Sequence, residues 1–88
     1  MHIYGIDSRI ARTTTGEPIY GRVEYVFELG SEKDAEYCVA SLTMGVKSAC
    51  PASELYDRGK YLVLGVTEKD AHSGIVEQVT NTIRQITP

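Results

Sequence analysis

Two thiols and two imidazoles are the side chains here best suited to nucleophilic or metal chemistry: His2, Cys38, Cys50 and His72. Cys50 stands directly before Pro51. Proline suits the first turn of a helix, where its missing N–H leaves no gap. The pair therefore reads as a helix N-terminus, where free N–H groups and the helix dipole lower a thiol pKa. With His72 as base, Cys50 would be an activated nucleophile. As a small side chain closing a turn, Cys50 needs no such role, and nothing in the spacing brings His72 to it. Cys38 falls in an apolar alternation and reads as core. Structural zinc sites present close ligand pairs, with cysteines about two to four residues apart. At least eleven residues separate any two of these four candidates. No metal site and no cofactor is expected.

Gly16-Glu-Pro-Ile-Tyr-Gly21 has the glycines of a phosphate loop but lacks the Lys-Ser/Thr that completes one. It also precedes a strand rather than a helix N-terminus, where phosphate is held. The carboxylates offer more. Tyr4-Gly-Ile-Asp7 resembles the strand-one aspartate motif of the ribonuclease H-like fold, whose opening order β-β-β-α-β-α matches the order read from this chain below. In that family, carboxylates of strand one, the first helix and strand four converge on divalent metal. The resemblance puts Asp7, Glu54, and Glu68 or Asp70 in those places, and implies metal-dependent phosphodiester hydrolysis.

These side chains need elements to position them. His2 to Ile10 reads as a first strand, and the polar Arg12 to Pro18 stretch as a loop. Ile19 to Leu29 is the clearest strand: Val23, Tyr25, Phe27 and Leu29 alternate with Arg22, Glu24 and Glu28. Gly30 to Asp34 reads as a turn leading into a third strand, Glu36 to Val46, with Cys38, Ala40, Leu42 and Met44 on one side. Pro51 and Gly59 bracket a short helix over Ala52 to Arg58. Tyr61 to Thr67 is apolar on both faces, as an interior strand is. Thr67, with Asp70 three residues on, caps a last helix. Its apolar stripe is Ala71, Ile75, Val79 and Ile83, joined by Val76 and Ile86, and Ser73 is an alternative start. The expected fold is α+β, β-β-β-α-β-α, a mainly antiparallel four-stranded sheet with the C-terminal helix packed on one face.

Composition bounds the function. Eighty-eight residues, 42% hydrophobic and 24% charged, are enough for a single domain spanning residues 1–88 with a modest core. The net charge is −3 and no third of the chain holds a positive excess. The clustered Lys and Arg of a nucleic-acid footprint are missing, so nucleic acid is not an expected partner. Two isolated thiols fit a reducing compartment, and Met1 to Ile10 holds no long apolar run. A cytoplasmic protein without a membrane anchor is the expectation.

One surface carries a functional reading. Tyr37 and Val39 face away from Cys38 and Leu42, in line with Val26, and Tyr61 and Val63 fall on the same side of the fourth strand. One helix covers one face of such a sheet. The other is left with a semi-apolar, tyrosine-bearing patch of the kind that binds partners. Val26, Tyr37, Val39, Tyr61 and Val63 are therefore the expected interface. The reading is a non-enzymatic interaction module, an accessory or inhibitor protein and a homodimer. The nuclease using Asp7, Glu54 and Asp70 is the alternative.

Overall fold

A computed structural model describes residues 2–7 and 22–87, with side chains from Val23 to Thr87. Strands β1 (His2–Asp7) and β2 (Arg22–Glu28) come first, followed by helix α1 (Glu32–Ala49). Then come β3 (Glu54–Arg58), β4 (Tyr61–Thr67), the single-turn α2 (Glu68–Ala71) and α3 (Ile75–Ile86). The class is α+β, but the order is β-β-α-β-β-α-α rather than β-β-β-α-β-α.

Two segments exchange their expected states. Glu36 to Val46, expected as a strand, lies inside α1. Ser31 starts that helix: its hydroxyl accepts from the Asp34 N–H at 3.1 Å, and Glu32 and Asp34 complement the dipole in the first turn. The buried positions are Ala35, Cys38, Leu42 and Val46, a spacing of three and four that only a helix places on one side. Period-two alternation was also present, but Ala40 and Met44 on it are exposed.

Ala52 to Arg58, expected as a helix, is instead the turn into β3 and β3 itself. Gly59 is not a helix stop. It opens the two-residue loop of the β3–β4 hairpin, whose closing pair is Arg58 and Tyr61. Its φ of 58° is the positive value a tight hairpin demands at the first loop residue. Five residues between turns were too few for a helical period to show. Cys50 consequently caps the C-terminus of α1, its N–H donating to the Val46 carbonyl, and does not stand at a helix N-terminus.

Tyr61 to Thr67 is an interior strand as expected, lying between β2 and β3 in the order β1-β2-β4-β3. Every neighbouring pair is antiparallel. Three of these strands carry described side chains, and β1 joins them through its backbone register. Thr67 caps α2 through the Asp70 N–H, also as expected. The chain then breaks at Gly74 (φ 91°) before α3 begins, so the last helix is two.

The core forms where α1 and α3 cover one face of the sheet. Phe27 from β2 and Leu29 just after it meet Leu62, Leu64 and Val66 from β4, beneath Cys38, Leu42 and Val46 of α1 and Ile75, Val79 and Ile83 of α3. Each such side chain removed from water contributes about 1.5–3 kcal/mol. Two helices, not the C-terminal one alone, therefore cover this face. No helix among the described residues is long and apolar enough to cross a membrane.

Candidate functional site: the uncovered face of the sheet

Strand alternation that sends Phe27, Leu62 and Leu64 into the core sends their neighbours to the opposite face. Register lines these up in three rows across β2, β4 and β3. The middle row is Val26, Val63 and Tyr56; one flank is Glu28, Tyr61 and Arg58; the other is Glu24, Gly65 and Glu54. Among the described residues, no helix packs on this side. Its surface holds a shallow depression of about 300 Å³ lined by Glu24, Val26, Tyr56, Arg58, Tyr61 and Val63. Tyr56 is 42% exposed and Tyr61 37%.

The flank beside the hairpin turn is held by charge. Lys60 Nζ lies 3.5 Å from Glu28 Oε2 and 5.6 Å from the centre of the Tyr61 ring. One ammonium thus bridges a β2 carboxylate and a β4 aromatic. At the other flank Gly65 adds no side chain, and Glu24 and Glu54 lie on either side of it. The face is a tyrosine–valine stripe with an acidic end and a mixed end.

Three of the five expected interface residues come together here: Val26, Tyr61 and Val63. The other two do not. Tyr37 and Val39 are on α1, where Tyr37 is exposed at 59% and Val39 packs against the core. Their placement followed from reading α1 as a strand. Tyr56 and Arg58 were missed for the converse reason, since both fell in the expected short helix. The signal that finds them is Gly59-Lys60 as a two-residue loop between two strands.

The nuclease set is not gathered into one place by the fold. Glu54 lies on a strand, not a first helix, and the β-β-β-α-β-α order behind the resemblance is not the one adopted. β1, which ends in Asp7, and β3, which begins with Glu54, are the two edges of the sheet. Three strand spacings, about 14 Å, separate them. Asp70 serves the cap of α2 through its N–H. Among the described residues no group of His, Cys, Asp and Glu could hold a metal ion.

Both thiols are free and buried, while His72 is exposed in the turn after α2. Burial, reinforced by the charge of Asp34, pushes the Cys38 thiol above its ordinary pKa. That keeps it protonated and unreactive. His2 lies on β1, where side chains are outside the described residues, as is the whole Gly16 to Gly21 segment. A second depression, of about 270 Å³ between α1 and α3, exposes the edges of Leu42, Val46, Ile75 and Val79 under the rims of Ser41 and Gln78. It holds no titratable group. Comparisons of the chain with protein-family models, characterised proteins and solved structures found no match in any of the three.

Proposed function

We propose that this protein is a non-enzymatic interaction module, an accessory or inhibitor protein that works by laying the uncovered face of its sheet on a protein partner. The observation that carries this is the Val26–Val63–Tyr56 row, with Tyr61 beside it, left without a covering element among the described residues. Aromatic side chains that are rigid, half-exposed and centred in a patch are those that dominate binding energies. Tyrosine adds a hydroxyl at the end of its apolar ring, so it serves both the dry centre and the wet rim of an interface. Charge sets orientation: Glu24 and Glu54 favour a partner that is basic at that end.

The test is capture of partners on immobilised protein, comparing wild type with Tyr61→Glu and with Tyr37→Glu. The first substitution lies on the sheet face and the second on the exposed side of α1. A partner held by wild type and Tyr37→Glu but lost from Tyr61→Glu is the expected result. A central tyrosine contributes about 2 kcal/mol or more, so its loss weakens binding roughly thirtyfold. A partner that stays on Tyr61→Glu and leaves Tyr37→Glu would move the working surface to the helices.

A further inference from the structure

β3 is an edge strand, with β4 on one side of it and no described strand on the other. Which of its backbone groups meet the free edge follows from one hydrogen bond. The Leu29 N–H donates to the Lys60 carbonyl at 2.9 Å, so that peptide's carbonyl points at β2. The N–H of the same peptide, on Tyr61, points the other way, at β3. Alternation then directs Tyr61, Val63 and Gly65 toward β3, bonded to their partners Arg58, Tyr56 and Glu54. Leu55 and Asp57 are left turning both N–H and C=O outward.

Exposed edges of this kind are commonly guarded by charge. Here the charges are ordered so that they do not repel a second copy. Glu54-Leu55-Tyr56-Asp57-Arg58 has Glu54 and Arg58 at equal distances from Tyr56, with its second acid, Asp57, on the opposite face. We propose that β3 pairs antiparallel with β3 of a second copy about a two-fold axis at Tyr56. This joins two four-stranded sheets into one of eight. In that register Glu54 lies opposite the partner's Arg58, and Arg58 opposite the partner's Glu54. The two Tyr56 rings meet at the axis. All three pairs fall on the uncovered face, and opposite charges and aromatic pairs are the favourable cross-strand combinations.

The backbone agrees with the side chains. Leu55 faces the partner's Asp57 and Asp57 the partner's Leu55. These are the residues whose N–H and C=O point outward, so both become hydrogen-bonded pairs and Tyr56 falls at the non-bonded position between them. Sliding one strand by one residue would set outward-turned groups against inward-turned ones, and sliding it by two would keep the backbone paired but bring Glu54 opposite Tyr56 and take it away from Arg58. Two-fold pairing at Tyr56 satisfies charge and backbone together. The seam is short, so association is weak and concentration-dependent. It also sets the two uncovered faces side by side as one surface, though the pairing does not depend on what that surface binds.

The experiment is sedimentation or light scattering of the full chain from about 1 µM to about 1 mM, with amide exchange at both ends of that range. Wild type should dimerise across it, and the Leu55 and Asp57 amides should gain protection as it does. Asp57→Pro deletes an outward donor without touching the bonds to β4, and should abolish the dimer. Arg58→Glu sets like charges opposite each other twice and should weaken the dimer roughly tenfold or more. Glu54→Arg combined with Arg58→Glu restores opposite pairs and should recover it to within about threefold of wild type. This rescue keeps the test valid even where Asp57→Pro perturbs the fold.

A chain monomeric throughout, or a dimer indifferent to Arg58→Glu, would overturn the proposal. So would a dimer that survives Asp57→Pro but is lost in Tyr61→Glu, since that pattern belongs to face-to-face stacking. A dimer that responds to these variants as expected, with partner binding retained in Tyr61→Glu, would instead count against the face reading alone.

Discussion

Cys38 is the residue whose chemistry the fold changes most clearly. Its side chain is fully buried between α1 and the sheet, and burial followed by the nearby Asp34 carboxylate raises its pKa above the ordinary 9.0. The sign of the effect on stability follows. Below pH 9 the thiol is protonated in folded and unfolded chains alike, and the full stability is present. Above it the unfolded chain releases a proton that the folded chain retains, so stability falls as pH rises toward the folded thiol's value. Urea titrations at pH 8 and at pH 10.5 should show this fall in the midpoint, and Cys38→Ala should show a smaller one. An equal fall in both proteins would mean that the thiol is not responsible. Here the sequence was a sound guide: Cys38 was expected in the core and lies there, although on a helix instead of a strand.

At the scale of elements, legibility divided by length and by the strength of the period. β2 and β4 were plain because alternation in one and continuous apolarity in the other have few competing explanations. α3 was plain because Ile75, Val79 and Ile83 repeat across a full helical stripe. α1 was ambiguous. Cys38, Ala40, Leu42 and Met44 satisfy a two-residue period while Ala35, Cys38, Leu42 and Val46 satisfy a helical one, and the β-branched and tyrosine residues between them favour strands locally. What decided it lay outside the segment, in the Ser31 cap. Ser31→Ala should therefore cost about 1 kcal/mol of stability, read as a lower urea midpoint with an unchanged slope. No loss would mean that packing alone holds α1 in place. The candidate face was legible only as far as its strands were. Val26, Tyr61 and Val63 sit on β2 and β4, and the two misplaced residues sit on the misread helix.

For the molecule as a whole, the decisive connection is that β4 lies between β2 and β3. Like β2 it is bonded on both sides, and Leu62, Leu64 and Val66 on it are fully buried. Amide exchange should accordingly be slowest along β4 and measurably faster on β3, because opening β4 requires breaking both ladders and the core at once. If β3 exchanged as slowly as β4 at low protein concentration, the two would open as one unit. The uncovered face follows from this arrangement, since a strand that ties the sheet together also fixes which side the helices occupy.

β4 is also the last strand to be made. A ribosome delivers β2 well before β4, with α1 and β3 made in between, and β2 and β3 do not pair with each other in the finished sheet. Until Thr67 has left the exit tunnel, the apolar side of β2 waits under α1 with no neighbour on its β4 side. Synthesis therefore leaves this core without its central strand until residue 67 has emerged, and without α3 until later still. A pause within residues 61–67 would lengthen the interval in which chaperones find something to hold.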